Sequence, residues 1–345
     1  MTNSTQRDCK DCGWCNIAAL NGLLLAAVVC CRACGAADED LRFEISQGCA
    51  FTLTVGKMQF TPPALESPPM RIGICSYSFH RLLAAGQMDI FRYITTCKEL
   101  GCTQLDPWNA HLSDLKDGAE ALHAGKNPGK SQYLSAVDEN YVERVRAAAD
   151  ETKLQFGTMV VDGAHIYEPT AEAREANRQR AYRWISVGAT LGMKQIRIDA
   201  GGPEEMPGDI FQIIVDGYRD LIDRAGSKGI EILIENHWGP SIVPENIERL
   251  MAAIPGLGLL LDTRSWKPGR RDEGCKRCAR FAKATHIKTI NWDTAGNEPN
   301  EDIGGAVTAL KGAGYQGTWG IESVPADGDE IAGCRRAIAL LKRLV

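Results

Sequence analysis

"EILIENHWG", Glu231 to Gly239, is the stretch on which the reading of this chain turns. Ile232 to Ile234 form a short apolar run of the kind buried on both faces of a parallel sheet. The run stops on a carboxylate, Glu235, followed at once by Asn236, His237 and Trp238. A carboxylate taken out of water must be paired, hydrogen-bonded or bound to a cation. The stretch therefore predicts a parallel sheet whose strand ends carry polar chemistry.

The same pattern recurs along the chain. Runs of β type stand near 71–75, 102–106, 155–161, 194–199, 230–235, 257–262, 284–289 and 317–322. Helical periodicity fills 85–99, 138–152, 171–191, 208–228, 244–253, 270–282, 302–313 and 328–344. Eight strands alternating with eight helices predict an α/β fold, a (β/α)₈ TIM barrel over 70–345. An open doubly wound sheet usually has fewer units, and no GxGxxG follows any strand. "AGKNPGKS", Ala124 to Ser131, imitates a phosphate-binding loop. Ala124 replaces the first required glycine and no strand leads in, so it reads as a basic surface loop.

Residues 1–69 differ in kind. They hold seven of the 13 cysteines, in a setting such as "CKDCGWC", and an apolar stretch, "IAALNGLLLAAVVC", that suits a signal core better than a membrane span. The segment is expected to lie outside the fold, as a disordered or signal-like Cys-rich extension or as sequence upstream of a working start at Met70. Cys275 and Cys278 form a CxxC with no second pair or nearby histidine, so chance spacing is the simpler reading. The other isolated cysteines suit a reducing compartment, and a cytoplasmic location is expected for the barrel. A formal charge of −5 argues against a nucleic-acid partner. Nothing in the barrel portion asks for a membrane, and a homo-oligomer is left open.

In such barrels the C-terminal ends of the strands carry the chemistry. Here they supply Glu235, Asp262, His286 and Glu322 from four consecutive strands, and neighbouring strands lie about 4.8 Å apart. Three carboxylates in one partly dry pocket repel one another, and a divalent cation removes the conflict. Three oxygens with one imidazole form a mostly hard donor set, suited to Mn²⁺, Mg²⁺ or Co²⁺, with Zn²⁺ also admitted. Taken singly, each ligand has a plainer explanation. Asp262 before "TRSW" could cap a turn, and His286 alone could be a satisfied core histidine. Four in register carry more weight than any one.

These residues resemble the sugar phosphate isomerase/epimerase family, the xylose isomerase-like TIM barrels. The resemblance runs from Met70 to Val345 through "RIGICSYSFH", "GIEILIENHWG", "LGLLLDTRSW", "ATHIKTINWDTAGNEP" and "GYQGTWGIESV". It implies a single divalent metal held by Glu235, Asp262, His286 and Glu322, with the two glutamates also serving as the acid/base pair. Members isomerise, epimerise, dehydrate or eliminate. "LDTRSW" lacks the Asn or His often found after the aspartate, and "IESVPADGDE" departs from the usual continuation after the last glutamate.

The expected activity is a metal-dependent sugar isomerase or epimerase working through an enediolate on a ketose, keto-sugar or related polyol. Lys288 would steady a developing oxyanion and His237 would touch a substrate hydroxyl or act as an alternative base. His165, Arg197 and Asp199 would contact the sugar. Tyr77, His80, Trp108 and His111 would form an aromatic and polar wall, although aromatic faces also suit plain packing. No glycine-rich turn opens a helix beside these residues, which favours a sugar without phosphate. The alternatives are a metal-dependent lyase or dehydratase acting on a keto-sugar or inositol derivative, and a non-catalytic sugar-binding barrel. An abasic-site endonuclease of the same fold would need more ligands and a basic surface.

Overall fold

The computed structural model describes residues 70–112 and 139–345, together with three short strands in the first 69 residues. The chain divides into two units, Met1–Pro69 and Met70–Val345, each taken by itself. In the first, β1 (Leu41–Ile45), β2 (Phe51–Val55) and β3 (Met58–Phe60) pair antiparallel in the order β1-β2-β3. The cysteines before residue 40, the apolar stretch at 17–30 and the loop at 124–131 lie outside the described residues.

The second unit is the barrel. Its strands are β4 (Ile72–Cys75), β5 (Gln104–Asp106), β6 (Gln155–Phe156), β7 (Thr158–Val161), β8 (Gln195–Ile198), β9 (Glu231–Glu235), β10 (Gly258–Asp262), β11 (Ala282–Thr289) and β12 (Trp319–Ser323). The hydrogen-bonded order is β6-β5-β4-β12-β11-β10-β9-β8-β7, all parallel. Its two end members are halves of one stretch, separated only by Gly157. The ring therefore closes through that stretch, helped by a parallel bridge from Trp108 to Val160. The single strand expected at 155–161 is divided into β6 and β7 at Gly157, where only a glycine fits because a Cβ would lie 1.9 Å from the Gln104 side chain.

Among the described residues, eight principal helices alternate with the strands: α1 (Ile90–Glu99), α2 (Glu139–Thr152), α3 (Ala171–Leu191), α4 (Gly208–Gly226), α5 (Pro244–Ala253), α6 (Arg271–Cys278), α7 (Ile303–Gly312) and α8 (Glu330–Leu344). Side-chain caps fix several starts. Asp89, Thr170, Asp302 and Asp329 each accept from a backbone N–H in the first turn, at Arg92, Ala173, Gly305 and Ala332. The helix expected over 85–99 is instead a short turn, His80–Ala84, and a separate helix that begins after the Asp89 cap. The one expected over 270–282 ends at Cys278, and β11 starts at Ala282. Cys275 and Cys278 are buried free thiols donating weakly to the carbonyls of Thr263 and Pro244.

Strand periodicity sorts the core into two parts. Outward residues such as Ile72, Ile74, Ile196, Ile198, Ile232, Ile234, Leu259, Leu261, Ile287 and Ile321 pack beneath the helices. Burying one such side chain contributes about 1.5–3 kcal/mol. Inside the ring the apolar layer is thin: Cys75, Trp108, Ala110, Val160, Leu233, Leu260 and Ala284.

Below that layer, at the N-terminal end of the strands, the interior is polar. Asp106 accepts from Gln104 Nε2 at 2.7 Å and Thr158 N at 2.8 Å. Thr158 donates to Gln195, Gln195 to Glu231, and Thr318 to Gln104. All of these but Glu231 line a cavity of about 210 Å³ that also reaches Leu260 and His286.

Candidate metal centre

At the C-terminal end of the strands the polar groups converge. Glu235 and Asp262 are the last residues of β9 and β10, and His286 and Glu322 lie near the ends of β11 and β12. All four are buried, between 0% and 6% exposed, so little water competes for them. Register pairs Asp262 directly with His286, while Glu235 pairs with Leu260 and Glu322 with Lys288, each one inward-facing step away along its strand. His286 Nδ1 lies 2.7 Å from Glu235 Oε1 and 2.9 Å from Glu322 Oε2. One donor atom from each of the four residues falls within 4.8 Å of all the others.

Asp262 divides its work between its two oxygens. Oδ1 accepts from Arg264 N at 2.7 Å and Ser265 N at 3.0 Å, capping the turn that follows the strand. Oδ2 accepts no hydrogen bond although it is fully buried, and Lys288 Nζ approaches no closer than 3.7 Å. Burial, helped by Glu322 and Glu235, pushes its pKa up despite Lys288. A buried carboxylate oxygen short of donors and facing an imidazole and two more carboxylates fits a divalent cation. The turn-capping explanation of Asp262 and the ligand explanation hold together, one on each oxygen.

The charges around the centre are partly balanced by the protein itself. Lys288 ion-pairs closely with Glu322, and Arg197 Nε lies 2.8 Å from Glu235 Oε2, at an angle unsuited to a hydrogen bond. Burial opposes charge on Glu322, yet Lys288 and His286 outweigh it and hold the carboxyl well below its usual range. Burial likewise opposes a proton on His286, but Glu235, Cys75 and Glu322 hold the imidazole well above its ordinary value. Carboxylate repulsion alone is therefore a weaker argument for a cation than the sequence suggests. The orphaned Asp262 oxygen is the stronger one.

Around this core the other expected site residues separate into groups. Arg197 Nη1 binds Asp199 Oδ2 and Asp162 Oδ1, both at 2.9 Å. Asp199 Oδ2 also accepts from Trp238 Nε1 at 3.0 Å and meets His237 Nδ1 at 3.2 Å. Partial burial disfavours a charged His237, but Asp199 outweighs it and pushes the imidazole up to about 9. His165 pairs with Glu168 at 2.7 Å and meets the Trp238 ring edge-on, centroids 5.3 Å apart. Tyr77 stacks on His80 at 4.6 Å and stands edge-on to Trp108, with Lys288 Nζ 5.9 Å from its ring. Trp108 itself is buried and donates to Asp162.

His80 and His111 are turned away from this convergence. His80 Nδ1 bonds the Tyr77 carbonyl and lies 3.3 Å from buried Glu330. His111 is buried against Trp108 and Tyr93, with Nδ1 on Ser76 Oγ; burial and nearby His80 bring it down to about 3, so it stays neutral.

Three contributors escaped the sequence reading. Asn236 is fully buried and ties the ends of two strands together: its Nδ2 donates to the Asp262 carbonyl at 2.8 Å, and its Oδ1 accepts from Asp262 N at 2.9 Å. Its place directly after Glu235 was the available signal. Trp238, 39% exposed, offers an apolar face at the mouth. Asp162 anchors both Arg197 and Trp108, and no spacing in the sequence points to it.

Residues 97–344 match the family described as xylose isomerase-like TIM barrel. The chain belongs to that family. Among solved structures, the barrel is similar to 3-keto-D-glucoside 4-epimerase from E. coli, with a TM-score of 0.59 and 17% identity over 79% of this chain and 99% of that one. It is also similar to the probable 3-DHS dehydratase from Bacillus anthracis, with a TM-score of 0.57 and 13% identity over 79% and 99%. The crystal structure of the IOLI protein with a binding zinc atom gives a TM-score of 0.59 and 13% identity over 80% and 99%. At these identities the likeness is one of fold. No curated protein matches the chain at a significant level of sequence similarity.

Proposed function

We propose that the barrel is a divalent-metal-dependent isomerase or epimerase acting on a ketose, keto-sugar or related polyol. The observation that carries the reading is Asp262 Oδ2, a buried oxygen without a hydrogen-bond donor beside Glu235, His286 and Glu322. Those four residues would hold Mn²⁺, Mg²⁺, Co²⁺ or Zn²⁺. Such a cation supplies polarisation of a carbonyl and stabilisation of enediolate character.

The chain's own groups divide the remaining work. Glu235 and Glu322 approach His286 Nδ1 from different strands, and one removes a proton from the carbon beside the carbonyl while the other returns one. Return to the opposite face of the same carbon gives an epimer; return to the neighbouring carbon gives an isomer. Lys288, held beside Glu322, offsets negative charge gathering on the substrate oxygen. Arg197 fixes Glu235, and Asp199 fixes His237 and Trp238 where they can meet hydroxyls and C–H faces.

Likeness to both an epimerase and a dehydratase fold supports keeping a lyase as the second reading, because elimination shares the proton-removal step. The test is metal analysis of the purified chain, followed by incubation with a panel of ketoses and keto-glycosides in D₂O. Deuterium entering the substrate without loss of mass supports the epimerase or isomerase. Loss of water or of a leaving group supports the lyase, and binding without exchange refutes both.

A further inference from the structure

A sulfur atom outside the four-residue donor set lies beside the same residues. Cys75 ends β4, is fully buried and belongs to the thin inner layer of the barrel. Ile321 pairs with Ile74, so the next step of the same register sets Cys75 beside Glu322. The row that carries Asp262 and His286 runs on to Gly320 and Gly73, which have no side chains. The imidazole therefore has room to approach the thiol. Donor atoms of Cys75, His286 and Glu322 all lie within 4.8 Å of one another. Of the other described cysteines, Cys97, Cys102 and Cys334 belong to the outer core, and Cys275 and Cys278 face backbone carbonyls.

We propose that Cys75 gives this centre a second, sulfur-containing donor set, Cys75–His286–Glu322, with which it takes a thiophilic divalent cation such as Zn²⁺, Cd²⁺ or Co²⁺. The inference rests on the reading that a metal ion binds here, and it names what decides which ion. Hard Mg²⁺ and Mn²⁺ draw on the three carboxylates and the imidazole. A softer ion moves toward β4 and gains the thiolate, while the thiol proton leaves to solvent. Three protein ligands with a fourth position open is the arrangement of catalytic zinc. His286 and Glu322 serve both sets, so the two kinds of ion exclude each other.

The test is a Co²⁺ titration of the full chain followed in the near ultraviolet, where a thiolate bound to Co²⁺ gives an intense charge-transfer band. Cys75→Ser is expected to remove part of that band while Co²⁺ still binds through the carboxylates. Zn²⁺ affinity at the centre falls about tenfold or more, and Mn²⁺ affinity stays unchanged. Cysteines near the N-terminus can add a sulfur signal of their own, so the wild-type chain is also titrated in the presence of saturating Mn²⁺. The part of the band owed to Cys75 then disappears because its two companion ligands are taken, a readout that needs no variant. A band insensitive to Mn²⁺ overturns the inference and leaves the metal reading intact. Failure of every ion to bind at the centre overturns both.

Discussion

Asn236→Ala is the perturbation whose size the structure sets most directly. The side chain bonds both the N–H and the carbonyl of Asp262, and all the groups involved are buried. Truncation leaves the N–H without its acceptor and deprives the carbonyl of this donor. At about 1–3 kcal/mol for the N–H left unsatisfied and about 1 kcal/mol for the bond lost at the carbonyl, the expected loss is about 2–4 kcal/mol. A domain of this order shifts by roughly 2–4 °C per kcal/mol, so the thermal midpoint should fall by about 5–15 °C. Asp262 would also lose the brace that aims Oδ2, and Mn²⁺ affinity should weaken by about 10- to 100-fold. Calorimetric unfolding and metal titration of the same preparation read both effects. A loss below about 0.5 kcal/mol, the usual scatter for surface positions, with unchanged Mn²⁺ binding would refute the claim that Asn236 locks this strand end.

Asp262→Asn should keep the turn, because an amide oxygen can still accept from Arg264 and Ser265, while abolishing Mn²⁺ binding; circular dichroism and metal titration separate the two roles. Lys288→Met removes a positive charge 3.7 Å from Asp262 and should tighten Mn²⁺ binding while turnover falls, seen by titration and by deuterium exchange. His111 binds its proton at about 3 in the fold against about 6.5 unfolded. Its contribution to stability is therefore complete above pH 6.5 and lost as pH falls toward 3, by up to about 1.4 kcal/mol per pH unit. His111→Phe should flatten that acid limb in denaturant melts at stepped pH. Gly320→Ala should destabilise by about 1–3 kcal/mol, since its Cβ would sit 2.2 Å from the Thr285 carbonyl oxygen; an unchanged denaturation midpoint would contradict that contact.

The legible parts of the sequence were those with a repeating physical cause. Alternating apolar runs located every barrel strand, and α3 and α5 have the bounds that their periodicity marks. The four converging donors were legible because a strand that ends on a charge breaks its own hydrophobic logic. What escaped depends on contacts between distant segments. The need for a glycine at 157 follows from Gln104, and the retreat of His111 follows from Ser76 and Tyr93. Arg197 was visible as a charge at a strand end, but its partner Asp162 was not, because that pairing spans 35 residues of chain.

The polar chamber at the lower end of the barrel changes what counts as near the chemistry. Its wall includes His286 itself, and little more than Leu260 and its apolar neighbours forms the floor between. The imidazole is thus a partition with a polar chamber on its far side. Substitutions at Gln104, Thr158 or Thr318 can tilt or loosen it from behind, so sensitivity to mutation should extend to the face of the barrel opposite the four converging donors.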